Sequence, residues 1–310
     1  MNLAALAFVM FVTGVRTDAA PTPPRVDSRR LPIIDMHLHA FRMEDGQGSA
    51  TNPVTRKPSA ARTTAELREA SLAALKHYNI VKAVTSGPLE TVTAWREVAP
   101  DRVIPAAYVG TDEPFPEIST LRADIQAGRV RVLGELGLQY MGLSPADPQL
   151  EPYFALAEEL DIPVGIHTGL AARGTPYDPC CPKFRVTLGN PILLEEVLIR
   201  HPKLRVYLMH AGGPFLEETK AIMAVYPQVY ADLGVIDWII PRDEFHQALQ
   251  ALVRAGFGKR LMFGSDQMLW PEAIGMAIEG IESAAFLTEE QKRDIFYNNA
   301  ARFLRIEEAE

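Results

Sequence analysis

The chain has 310 residues, 47% of them hydrophobic and 23% charged, with a formal net charge of -8. That length suits one large domain or two small ones, and α/β barrels of about 250 residues are routinely single domains. The acidic balance, with no basic stripe, excludes a surface built to coat nucleic acid, since neutralising phosphates needs clustered Lys and Arg.

Leu3 to Val12 is an apolar run of signal-peptide length, well short of the roughly 20 residues of a membrane span. Thr17-Asp18-Ala19-Ala20 offers small residues for cleavage, although no Lys or Arg precedes the run. Residues 1–20 are therefore read as a signal peptide, 21–30 as a Pro-rich linker and 31–310 as the folded domain. Cleavage would make the protein periplasmic or secreted. An uncleaved anchor or a start codon placed too early are the alternatives, the latter giving a cytoplasmic protein.

Leu31 to Ala40 reads as a strand carrying Asp35-Met36-His37-Leu38-His39. Strand alternation puts Asp35, His37 and His39 on one face, where two imidazoles can reach one metal ion and Asp35 can orient a ring. A polar loop, Arg42 to Arg62, leads to a helix capped by Thr63 or Thr64 that runs to Tyr78. Strands and helices then alternate: strand Val81 to Thr85, helix Leu89 to Val98, strand Val103 to Val109, helix Pro116 to Ala127, strand Val130 to Gly134.

An amphipathic helix from Pro148 to Leu160 precedes the strand Ile162 to Ile166. The loop Gly169 to Gly189 holds both cysteines, Cys180 and Cys181. Adjacent cysteines do not easily adopt ordinary disulfide geometry and lack the partner pair of a zinc site, so both read as loop residues. Asn190-Pro191 starts the next helix. Strands Leu204 to Met209, Val229 to Asp232 and Leu261 to Phe263 alternate with helices Phe215 to Val225, Asp243 to Ala255 and Pro271 to Ala285. A capping box at Thr288 opens a last helix to Leu304.

Eight strands alternating with helices imply an α/β fold, a single (β/α)₈ TIM barrel. Glu135, His167, His210 and Asp266 follow the fourth, fifth, sixth and eighth strands, so a barrel would gather them with His37 and His39 at its carboxyl face. An open doubly wound sheet could not. Such a set suits a divalent metal, Zn²⁺ first and Mn²⁺, Fe²⁺ or Co²⁺ otherwise, as one or two ions.

These residues, with Gly165-Ile166-His167-Thr168, Met209-His210-Ala211-Gly212-Gly213, Phe263-Gly264-Ser265-Asp266 and Asn298-Asn299-Ala300-Ala301-Arg302, resemble the amidohydrolase superfamily in its amidohydrolase-related branch. The resemblance implies that His37, His39 and Asp266 bind the first metal and that Asp266 accepts the proton of the attacking water. His167 and His210 would bind a second metal; in one-metal members His167 joins the first and His210 assists catalysis. Glu135 replaces the carbamylated lysine of other members and is similar to the bridging glutamate of TatD-like enzymes; a supporting acid is the equal alternative. The implied activity is hydrolysis of a small-molecule lactone, ester or amide, with non-oxidative decarboxylation as the alternative and a TatD-like nuclease disfavoured by charge. Arg42, Arg173, Tyr177, Trp238 and Trp270, in loops at the expected active face, are candidates for holding substrate. His77, His201 and His246 fall on helices or helix ends and are set aside. Asp232 is either a site residue or a cap.

Overall fold

The computed structural model describes residues 31–43, 51–111 and 113–306. The expected signal peptide and linker lie outside them. Eight strands run β1 Ile33–His39, β2 Ile80–Ser86, β3 Val103–Val109, β4 Val132–Leu136, β5 Val164–His167, β6 Val206–Met209, β7 Val229–Asp232 and β8 Leu261–Met262. They pair in chain order and all in parallel. The ring is drawn together by the segment after β8: Met36 N–H donates to Phe263 O at 2.9 Å and Asp266 N–H to His37 O at 2.7 Å. The fold is the (β/α)₈ barrel expected from the alternation, with every strand's carboxyl end on one face.

The helices that surround it are α1 Thr64–His77, α2 Leu89–Val98, α3 Ile118–Gln126, α4 Glu151–Glu159, α5 Glu195–Arg200, α6 Leu216–Val225, α7 Ile236–Ile239, α8 Arg242–Leu252, α9 Ala273–Glu282, α10 Glu289–Arg293 and α11 Asn299–Leu304. In α1 the Thr63 hydroxyl accepts the Glu66 N–H, and Leu67, Ser71 and Leu75 recur at helical spacing on the buried face. Among the described residues no helix is long and apolar enough to cross a membrane.

Two apolar layers follow from the strand period of two. Outward residues such as Ile33, Leu38, Leu133, Val164, Ile166 and Leu208 pack under the helices. Inward ones, among them Ile34, Met36, Ile104, Ala106, Val132, Tyr207 and Met209, form a second cluster closed by Ala300, Ala301 and Phe303 of α11. Tyr207 fills the space that Gly165 leaves, since a Cβ on Gly165 would sit 2.4 Å from the Tyr207 ring. Its hydroxyl reaches Met36 O across the barrel at 3.4 Å.

The expected single face of Asp35, His37 and His39 does not survive. Met36 faces inward and Leu38 outward, and the β1–β2 register shifts between Asp35 and Leu38. That irregularity swaps the faces in mid-strand. Glu135 likewise lies inside β4 rather than just past it.

The last helix is not continuous. After the capping box of Thr288 and Gln291, a wide turn at Asp294–Asn298 separates α10 from α11. Ile295 O accepts the Phe263 N–H at 2.9 Å, so a carbonyl that a regular helix would use internally holds the β8 extension. The two cysteines also depart from expectation: Cys180 and Cys181 are bonded to each other in the loop after β5. A bridge between neighbours closes no long loop, so the chain still has no disulfide framework.

Candidate metal centre

His37 and His39 leave the end of β1 with their Nε2 atoms 3.1 Å apart, both rings buried. Each is held from its other nitrogen. His37 Nδ1 faces Asp232 Oδ2 at 3.3 Å, and His39 Nδ1 meets the Ser86 hydroxyl at the end of β2 at 3.0 Å. A carboxylate only accepts, so with an ion bound His37 would keep its proton on Nδ1, towards Asp232, and turn the Nε2 lone pair into the site. Asp35 has another task than orienting a ring. Its carboxylate accepts the N–H of His37 and both the N–H and the hydroxyl of Ser265, which ties β1 to the turn that presents Asp266.

Asp266 Oδ1 lies 3.0 Å from His39 Nε2 and 3.7 Å from His37 Nε2. Glu135 Oε2 lies 3.2 Å and 3.5 Å from the same two atoms. The other Glu135 oxygen faces His167 Nε2 at 3.7 Å and His210 Nε2 at 4.0 Å. All six expected residues therefore meet in one pocket. His210 and Asp266 adopt left-handed backbone, φ 63° and 44°, a conformation that costs of order 1–3 kcal/mol for a non-glycine residue. Their N–H groups bond to Asp232 Oδ1 and His37 O, which fixes both turns. His210 Nδ1 bonds to Gly234 O at 2.9 Å, so that nitrogen carries the proton and Nε2 is left as the base.

Burial alone would raise the carboxyls and lower the imidazoles, but the cluster splits them. Against burial, His37 and His39 hold Glu135 well below the ordinary carboxylate range. Against burial too, His37 and His39 keep Asp266 at about 2. Burial and then His210 depress His167 to about 3, which keeps its imidazole neutral.

A divalent ion fits this donor set. His37, His39 and Asp266 offer ligand atoms within 4.8 Å of one another, as do His37, Glu135 and His210. Asp266 Oδ1 is buried with no hydrogen-bond partner, and the Nε2 atoms of His37 and His39 converge on it and on Glu135 Oε2. A cation resolves that arrangement.

The Amidohydrolase family model matches residues 34–306. The chain belongs to the amidohydrolase family. Protein fluG of Emericella nidulans is 22% identical over 161 residues, which is 47% of this chain and 18% of that protein; the match thus spans less than a fifth of the curated relative. A probable 2-pyrone-4,6-dicarboxylic acid hydrolase from Acinetobacter baumannii, crystallised with citric acid, superposes with a TM-score of 0.64 at 17% identity, covering 89% of this chain and 100% of that one. The 5-carboxyvanillate decarboxylase of Sphingomonas paucimobilis gives 0.56 at 16% identity over 89% and 100%. At such identities these likenesses establish the barrel.

The five expected substrate residues of this amidohydrolase fall in different places. Arg42 follows β1 but is held by Glu90 at 2.8 Å and Glu113 at 3.6 Å. Arg173 is exposed, and Tyr177 is 90% exposed on the loop after β5. Trp238 and Trp270 are buried in the core; Trp238 lies on α7, not in a loop, and its indole N–H donates to Ser265 O at 2.9 Å. The two tryptophans thus back the Asp266 turn. His201, set aside from the sequence, is buried between Glu151 and Glu158 far from the cluster. Sequence reasoning passed over Ser86, Phe41 and Tyr140. Phe41 stacks on His39 at 4.3 Å, and Tyr140 reaches His167. Asp232 is both cap and site residue, because it also accepts the Gly234 N–H at 2.8 Å.

Proposed function

We propose that this protein is a metal-dependent hydrolase of a small-molecule lactone, ester or amide. The observation that carries the reading is Asp266: an ionised, buried carboxylate with one oxygen unpartnered, set against two imidazole nitrogens. His37, His39 and Asp266 would hold the ion, Zn²⁺ by the preference of imidazole and carboxylate ligands, with His167, His210 and Glu135 able to complete it or hold a second. When bound, it supplies Lewis acidity and lowers the pKa of water. Asp266 accepts the water's proton at the carboxylate oxygen that does not hold the ion, and His210, its tautomer fixed by Gly234, presents Nε2 to the reacting atoms. The half-buried rings of Phe41 against His39 and Tyr140 against His167 limit bulk water there.

Decarboxylation of a small aromatic acid is the second reading. The fold shared with the 5-carboxyvanillate decarboxylase and the Phe41 ring stacked on His39, which favours a planar guest, support it. The test is a panel of lactones, esters, amides and aromatic carboxylates, run beside metal analysis of chelator-free protein. Hydrolysis requires ¹⁸O from labelled water in the acid product; carbon dioxide without a hydrolytic product would replace it with the second reading.

Export to the periplasm or beyond is proposed from the apolar run Leu3 to Val12. Mass spectrometry of the protein from its native cell should find a chain starting near Pro21. Retention of Met1 would discard the proposal.

A further inference from the structure

Tyr140 stands on the short turn Leu138–Met141 that follows β4, five residues beyond Glu135. Its hydroxyl lies 3.2 Å from His167 Nε2, with the two rings edge to face at 5.0 Å. The support behind it is rigid. Tyr140 N–H bonds to Gly137 O, and the buried Phe184 packs on the ring at 5.2 Å. Gln139, fully buried, donates its side-chain amide to Gly169 O at 3.3 Å, and its main-chain carbonyl accepts the Arg185 N–H at 3.3 Å. A side chain merely filling space would not need its polar end turned towards the reacting groups.

In the tautomer protonated at Nδ1, His167 Nε2 has a single lone pair that accepts the Tyr140 O–H, and the same atom faces Glu135 at 3.7 Å. Whenever that lone pair is engaged by another electrophile, the Tyr140 O–H loses its acceptor while still anchored in the pocket. An oxygen of the substrate is then the group within its reach.

We propose that Tyr140 is a substrate-facing hydrogen-bond donor whose O–H stabilises the leaving oxygen. The inference rests on the hydrolytic reading of the site. Water adds to the acyl carbon and gives its proton to Asp266; the C–O bond breaks with its electron pair on the leaving oxygen, and that proton is returned to it. Tyr140 transfers no net proton. It hydrogen-bonds the oxygen as charge builds, an interaction stronger at the transition state than before it.

The experiment compares wild type with Tyr140→Phe, which keeps the ring and removes the donor. On a series of aryl esters, kcat should fall about 10²- to 10³-fold, the range spanned by loss of such a donor. KM should change far less, and the loss should deepen as the leaving phenol becomes more basic. Titration of chelated protein with Zn²⁺ alone gives a readout free of catalysis: the variant should bind at least as tightly as wild type, because a competitor for the His167 lone pair has gone. Weaker binding by tenfold or more would make Tyr140 a support for His167 and overturn the proposal, as would a loss of rate independent of the leaving group. If wild type hydrolyses none of the series but decarboxylates aromatic acids, the hydrolytic reading fails by itself. The leaving-oxygen role falls with it, whatever the zinc titration shows.

Discussion

Replacing Asp266 with asparagine should lower turnover by about 10² to 10⁴-fold, the loss typical of removing a general base. The side chain keeps its size while losing the charge and basicity of the buried carboxylate. Metal content should fall much less than in His37→Ala or His39→Ala, since the imidazoles of His37, His39 and His167 and the Glu135 carboxylate remain. The turn should persist as well: Asp266 N–H to His37 O and the Trp238 indole to Ser265 O involve none of the altered atoms. Turnover on the best substrate of the panel and metal stoichiometry on the same samples decide the matter. An asparagine variant that keeps its metal and most of its rate would remove Asp266 from the mechanism.

The six residues of the centre were legible because the chemistry sits at strand ends, and strand ends are marked by apolar runs that stop. His167 follows Ile166 and His210 follows Met209 with no structural ambiguity. Less legible were features set by contacts between distant segments. The change of face between Met36 and Leu38 depends on the pairing of β1 with β2. Nothing in the alternation of apolar residues announces it, so Asp35 looked like a ring-orienting acid and Asp232 supplied that contact instead. The break at Asp294–Asn298 answers to Phe263, some thirty residues earlier in the chain, whose N–H takes the carbonyl of Ile295.

Tyr140 illustrates the other limit. Its turn is too short to impose a periodic pattern, and one tyrosine in a connection carries no spacing signal. Only the convergence of the β4 and β5 ends shows that it faces His167. Trp238 errs in the opposite direction: a tryptophan after a barrel strand suggests a substrate wall, yet the four-residue helix Ile236–Ile239 turns it inward behind Ser265.

Removal of the metal should destabilise the protein, and the deficit should widen as pH rises. At a free metal concentration of about 100 times Kd, binding contributes about 2.7 kcal/mol, which for a chain of this size corresponds to about 4 °C in Tm. The pH dependence comes from the groups left facing each other. Burial opposes protonation of His37 and His39, but Asp266 and Asp232 around the first, and Asp266 and Glu135 around the second, outweigh it and raise both above the ordinary 6.5. A raised imidazole contributes stability that is full below the unfolded value and lost as pH climbs through the folded one. Asp266, depressed from 3.8 to about 2, contributes above 3.8 and loses that contribution only in strong acid. Chelated protein should therefore weaken from about pH 6.5 upward. The metal-bound form should go the other way, because its imidazoles must shed those protons and binding tightens as pH rises. Thermal melts from pH 6 to 9, with Zn²⁺ and with chelator, should show diverging curves and catalysis only in the metal-bound arm. Parallel curves would mean that the ion does not replace protons on His37 and His39, and the assignment of those two imidazoles as its ligands would fail.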